Sequence, residues 1–256
     1  MLNRVLVQIS RAEEVEYLAR FTAVLKKRYP RIDISGLYVR NVEEYMKYNS
    51  AMYSDTYYHD FQNVWKGVED RKEQEVKEKF EEFFNGCSFI SKNGYINSIV
   101  LDQMRASDLL ILAKQEFLNH EIKSLLRTHH KPIVIVPERK SYSMDKILVA
   151  DDERLEVNKA FFNFMYIFEE IKQFQALAVN IDQDKLMDLN IYLEKTAKKI
   201  TYDFKTGHVD DIVLGYMRDY DLLIMGDLKH SFMIERIAGK PGIKILEKTD
   251  IPVYIA

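Results

Sequence analysis

DLLIMGDLKHSFMIERIAGKPGIKILEKTDIPVYIA, residues 221–256, is the stretch on which the fold is read. An apolar run, Leu222-Leu223-Ile224-Met225, stops at Gly226, and a second run, Pro252-Val253-Tyr254-Ile255, closes the stretch. Between Gly226 and Pro252 stand 25 residues with two further glycines, Gly239 and Gly242, and an amphipathic segment. Buried strand, glycine loop, helix, buried strand is the order of a phosphate-binding α/β unit, in which a helix N-terminus faces an anion.

The rest of the chain repeats this alternation. RVLVQI (4–9) and IDISGLYV (32–39) read as buried parallel strands. Between them Val15, Leu18, Phe21 and Leu25 recur at helical spacing, with Ser10 placed to cap. Strand, helix, strand at this spacing implies a right-handed parallel crossover. Residues 68–84 predict a surface helix whose core stripe is Val76, Phe80, Phe83 and Phe84, ended by Gly86. Strands at 87–90, 108–112 and 132–136 alternate with helices at 96–105 and 118–127. After a polar linker, ERKSYSM (138–144), the alternation restarts. Strands are expected at 146–150, 175–179 and 200–204, and helices at 155–171, 185–199 and 209–218. The helix from Leu155 is so apolar that cover on more than one side is expected, some of it between domains.

The two halves are copies. INSIVLDQMRASDLLILA (96–113) and VDDIVLGYMRDYDLLIMG (209–226) align without a gap, with nine of 18 positions identical, including Asp108/Asp221 and Arg105/Arg218. RVLVQIS (4–10) aligns with KILVADD (146–152), and Pro132-Ile133-Val134-Ile135 with Pro252-Val253-Tyr254-Ile255. The chain is a tandem duplication of one βα domain, with domain 1 over residues 1–138 and domain 2 over 144–256. The first copy is seven residues shorter in the region of the glycine loop, with Ala113 in place of Gly226 and Ser10 in place of Asp152.

In this light the second half resembles the universal stress protein family. Nucleotide-binding members of that family carry an aspartate at the end of strand 1 and Gly-x2-Gly-x9-Gly-Ser/Thr after strand 4. Asp152 matches the aspartate, Gly226 the first glycine and Gly239 the third; the spacing from Gly239 to Pro252 also fits. The resemblance covers both halves and implies an α/β fold of two tandem five-stranded, parallel, Rossmann-like domains with ligand sites beyond the carboxyl ends of the strands. It also implies a cytoplasmic stress-response protein that binds an adenine nucleotide such as ATP in domain 2, by binding and not by efficient turnover. Asp152 would meet the adenosine end, and Gly226, Gly239 and the following amides the phosphates. Family members pair through strand 5, so an internal pseudo-dimer is expected, with 132–136 near 252–255; a homodimer of whole chains stays open.

Two marker positions depart from the family pattern. Lys229 stands at the second glycine and Lys240 at the Ser/Thr, followed by Pro241. Either Lys229 and Lys240, with His230 inside the loop, offer point charges to phosphate, or the loop has drifted from that use and the lysines are solvated. The rival function is a non-nucleotide interaction protein. Its partner surface would be the insertion at 41–67, which holds Tyr45, Tyr48, Tyr53, Tyr57, Tyr58 and Trp65; the plainer account of those rings is burial against their own domain, with some helix inside.

Composition excludes other classes. A net charge of -3 over 256 residues argues against a nucleic-acid coat. Cys87 is the single cysteine, so no disulfide framework or thiolate metal site is expected, and a reducing compartment, the cytoplasm, fits. No apolar run is long enough for a membrane span, and the opening MLNRVLVQIS reads as a strand rather than a secretory signal. His120-Glu121 lacks the second histidine of a zinc-protease motif because Ser124 stands there. No serine nucleophile elbow or P-loop is present. The adjacent Asp151 and Asp152 would point to opposite faces if both lay in a strand. No catalytic residue and no metal ligand is assigned, and slow ATP hydrolysis has no evident catalytic base.

Overall fold

The computed structural model describes residues 2–41, 55–182, 187–228 and 241–256. Ten strands form one sheet: β1 Arg4–Gln8, β2 Asp33–Asn41, β3 Ser88–Gly94, β4 Leu109–Ala113, β5 Ile133–Val136, β6 Ile147–Asp151, β7 Gln173–Val179, β8 Lys199–Lys205, β9 Leu222–Met225 and β10 Val253–Ile255. The described helices are α1 Ala12–Arg28, α2 Asp55–Phe83, α3 Ile96–Met104, α4 His120–Thr128, α5 Leu155–Ile167, α6 Met187–Lys195, α7 Val209–Tyr216 and α8 Pro241–Lys248.

Strand order is β3-β2-β1-β4-β5-β10-β9-β6-β7-β8. Every neighbour pair is parallel except β5 with β10, which run antiparallel with Tyr254 opposite Val134. The segments 132–136 and 252–255 are thus hydrogen-bonded neighbours. Their composition explains why they meet. Ile133–Val136 and Val253–Ile255 are wholly buried, and each would otherwise present an apolar edge strand to water.

Strand residues alternate between two cores, as a pleat requires. Val5 and Val7 face a layer with α1, α2 and α5, while Leu6 faces the layer with α3, α4, α7 and α8. On the first face the ring of Tyr254 lies edge-on to Phe164 at 5.0 Å and its hydroxyl donates to Asn163 Oδ1 at 2.7 Å. The apolar helix from Leu155 serves both halves, because Phe168, just past its end, meets Tyr29 of the first half at 5.9 Å. The linker is packed: Tyr142 lies edge-on to Phe21, and its hydroxyl donates to the carbonyl of Pro137 at 2.6 Å.

Several expectations change. The surface helix foreseen from 68 begins at Asp55 and runs 29 residues, into the insertion. Residues 42–54, with Tyr45, Tyr48 and Tyr53, lie outside the described residues, as do the side chains of Tyr57 and Tyr58. The strand at 87–90 extends to Gly94. The helix from Leu155 stops at Ile167, and that at 209–218 stops at Tyr216 and passes into a 3-10 turn, Met217–Asp219. Ser10 does not cap α1. The buried Glu14 reaches back, and its Oε2 accepts the backbone N–H of Ser10 at 2.8 Å and of Arg11 at 3.3 Å. A longer carboxylate satisfies two free amides where a serine satisfies one.

Candidate functional site

In the second half the chain leaves β6 for β7 on one side and returns as β9 on the other. The carboxyl ends of β6 and β9 are therefore a topological switch point, where open α/β sheets leave a crevice. A cleft of about 230 Å³ opens there. Asp152 and Gly226, the expected site residues among those described, both line it, with Pro241 and Gly242 at the start of α8. Lys229, His230, Gly239 and Lys240 lie outside the described residues.

The two adjacent aspartates part because β6 ends between them. Asp151 is the last strand residue and is buried. It accepts the hydroxyl of Tyr202 at 3.0 Å and the backbone N–H of Glu153 at 2.9 Å. That second bond holds Glu153 at φ 61°, a left-handed turn that swings the chain into α5. Burial, then the charge of Asp151, raises the pKa of Tyr202, so this hydroxyl stays a donor. Asp152 is free of the strand and 57% exposed; it accepts the backbone N–H of Arg154 at 3.1 Å, with the Arg154 guanidinium 3.7 Å away. The cleft walls strip water from one side of its carboxyl and raise its pKa, which the Arg154 N–H and charge partly oppose.

Gly226 has a reason of its own. A Cβ there would lie 2.7 Å from the backbone nitrogen of Val157 and 2.9 Å from the carbonyl carbon of Glu156. The first turn of α5 rests on β9 at that point, and only glycine allows it. Its place in the fold is thus decided by helix-on-strand packing, whatever the cleft holds.

Chemically the cleft has an apolar floor, with Leu177, Val213, Met225 and Ile245, and a polar, mainly acidic lining, with Asp151, Asp152, Glu156 and Asp227 beside Arg154. A flat ring suits the floor, and Asp152 suits a hydroxyl donor. The described first turn of α8 carries no acidic residue, and a helix start of that kind favours an anion. Sequence reasoning missed Tyr202, whose signal is visible only afterwards: in register it lies on β8 opposite Ala176 of β7, two strands from Asp151. Among the described residues no cluster of three or more histidine, cysteine, aspartate or glutamate side chains could hold a metal, and no helix is long and apolar enough to cross a membrane.

The first half has its own cleft at the equivalent carboxyl ends, larger at about 670 Å³ and lined by Ser10, Tyr38, Asn41, Glu69 and Glu121 among others. It is strongly acidic and tightly bonded: the Tyr38 hydroxyl donates to Glu69 Oε2 at 3.3 Å, and Lys72 pairs with Glu69 Oε1 at 2.8 Å.

A single mostly parallel α/β sheet in two five-stranded halves, with clefts at the carboxyl ends, defines a tandem Rossmann-like protein. No family model matches the chain. The universal stress protein Slr1230 of Synechocystis sp. (strain ATCC 27184 / PCC 6803 / Kazusa) is 25% identical to it over 179 residues, which is 63% of this chain and 62% of that protein. Among solved structures, a universal stress protein from Archaeoglobus fulgidus DSM 4304 superposes with a TM-score of 0.67 at 13% identity, over 99% of this chain and 96% of that one. A functionally unknown protein from Pseudomonas aeruginosa PAO1 superposes with a TM-score of 0.61 at 14% identity, over 99% and 92%. The solved structures share the fold, and the sequence match is to a universal stress protein over about three fifths of each chain.

Proposed function

We propose that this is a cytoplasmic stress-response protein that binds one adenine nucleotide in the second-half cleft and acts by binding, not turnover. The observation that supports it is the meeting of Asp152, Gly226 and the first turn of α8 at the switch point between β6 and β9. The base would lie on the floor by Leu177 and Met225, and Asp152 would accept a ribose hydroxyl. The N-terminus of α8 would face the phosphates, with Lys229, His230, Gly239 and Lys240 in the loop before it. In this reading residues 1–138 and 144–256 are two domains, and their contact through β5 and β10 makes an internal pseudo-dimer.

Thermal-shift titration of the purified chain with ATP, ADP and AMP tests the proposal. A saturable rise in Tm that Asp152→Ala abolishes is the expected result. An unchanged Tm at large ligand excess, together with no nucleotide released when the purified protein is denatured, would overturn it.

A further inference from the structure

The helices that follow β4 and β9, α4 and α8, stand at equivalent places in the two halves. Their first turns differ in charge. That of α8 has no acidic residue, whereas that of α4 carries Glu121, two residues past its N-cap, Asn119. Asn119 Oδ1 accepts the backbone N–H of Ile122 at 2.8 Å, and Asn119 Nδ2 donates to Glu121 Oε2 at 3.0 Å. Glu121 Oε1 accepts the side-chain amide of Asn41 at 2.7 Å. Asn41 is the last residue of β2 and only 9% exposed, so this carboxylate ties the end of one strand to the N-terminus of α4. In the second half Asn180, just past the end of β7, bonds both ways with the backbone of Gly207 at 2.9 Å.

We infer that Glu121 is a resident anion. It supplies at the N-terminus of α4 the negative charge that a helix start favours, and it is the residue that makes the first cleft refuse phosphate. The charged residues that line both clefts are mainly acidic, so the placement of one carboxylate is the reason. A phosphate reaching α4 meets Glu121, already at the helix start and held by two amide donors. The chain therefore keeps two copies of the fold but at most one anion-accepting helix N-terminus at a switch point. The inference uses the nucleotide reading of the second cleft only for the contrast between halves.

The test is anion rescue with inorganic phosphate, on the full chain in chloride buffer at constant ionic strength. Wild type, Glu121→Ala, Glu121→Gln and Asn41→Ala are followed by Tm. Phosphate stabilises folded proteins in general; the wild type measures that effect together with any binding in the second half. Asn41→Ala loosens the same network but leaves the charge. Glu121→Ala and Glu121→Gln are expected to melt lower than wild type and to regain Tm saturably, with apparent phosphate affinity about three- to tenfold above that of wild type or Asn41→Ala. An equal phosphate response in all four proteins overturns the inference. If Glu121→Ala does not fold, Glu121→Gln, which keeps the shape and removes the charge, is read by the same criterion. Failure of wild type to respond to ATP removes the second-cleft reading and leaves this comparison intact.

Discussion

Asp221 Oδ2 accepts the backbone N–H of Lys146 at 2.8 Å, and Asp108 Oδ2 accepts that of Arg4 at 2.9 Å. Each aspartate also takes a second amide, from Asp145 and Asn3 respectively. The same residue in the two repeats pins the start of a central strand to the start of its neighbour. This is the physical content of the Asp108/Asp221 identity. Asp221→Ala is expected to lower the unfolding free energy by about 1–2 kcal/mol, since it strips two charge-assisted bonds from the amides that lead into β6. Urea denaturation checks this, and Asp108→Ala should cost a similar amount.

Gly226→Ala places a methyl group against the backbone of Val157 and Glu156. Backbone cannot swing aside as a long side chain can, so a loss of about 1–3 kcal/mol is expected. Gly215 is the control. It lies in α7 with no atom near its would-be Cβ, and Gly215→Ala is expected to stabilise by about 0.5–1 kcal/mol. Thermal melts of the two variants should move in opposite directions. A loss of ligand binding in Gly226→Ala is therefore informative only beside its measured stability.

Asp152→Asn is expected to be neutral or stabilising at neutral pH while removing nucleotide response. The sign follows from linkage. The folded protein holds the Asp152 pKa above its ordinary value, so the unfolded chain ionises more readily and the charge favours unfolding once the pH exceeds the ordinary carboxyl range. The Tm difference between variant and wild type should shrink as the pH falls into that range, where both states are protonated. A variant clearly less stable than wild type at neutral pH contradicts this account.

Tyrosines set the alkaline limit. Burial raises the hydroxyl of Tyr29 to about 12 and that of Tyr254 well above its ordinary value. Raised folded pKa values mean that the unfolded state releases these protons first; stability is complete below about pH 10 and falls as the pH rises through the folded values. Urea midpoints should drop steeply above pH 10, together with a cooperative rise in phenolate absorbance. Tyr254→Phe should soften that drop, at a cost near neutral pH of about 1 kcal/mol for the lost bond to Asn163.

The order of strands and helices was legible because it lives in local patterns. Alternating branched residues in RVLVQI, or Val15, Leu18, Phe21 and Leu25 at helical spacing, place an apolar face on a segment before it meets any other. The duplication was legible for the same reason, since both copies keep the same buried positions. Of the candidate site, Asp152 and Gly226 were picked out by the family resemblance, and both line one cleft. The division of labour between Asp151 and Asp152 was not legible, because it depends on β6 ending at Asp151 rather than at the expected residue 150, and a strand pattern does not fix an end to one residue. The cap of α1 was misread at Ser10 because a serine is the commoner choice, and only the packing shows Glu14 turned back and buried.

By itself the sequence determined the kind of fold, the doubling and the apolar strips of each strand, since hydrophobic period and turn chemistry act over a few residues. Tertiary structure alone decided that β5 and β10 pair antiparallel with Tyr254 opposite Val134, that Gly226 is required by α5, and that Glu121 stands at the start of α4 while the first turn of α8 carries no acidic residue. These depend on contacts between residues tens to more than a hundred positions apart. No local period encodes them; they are selected when burial of apolar edges and satisfaction of helix-end amides are settled together.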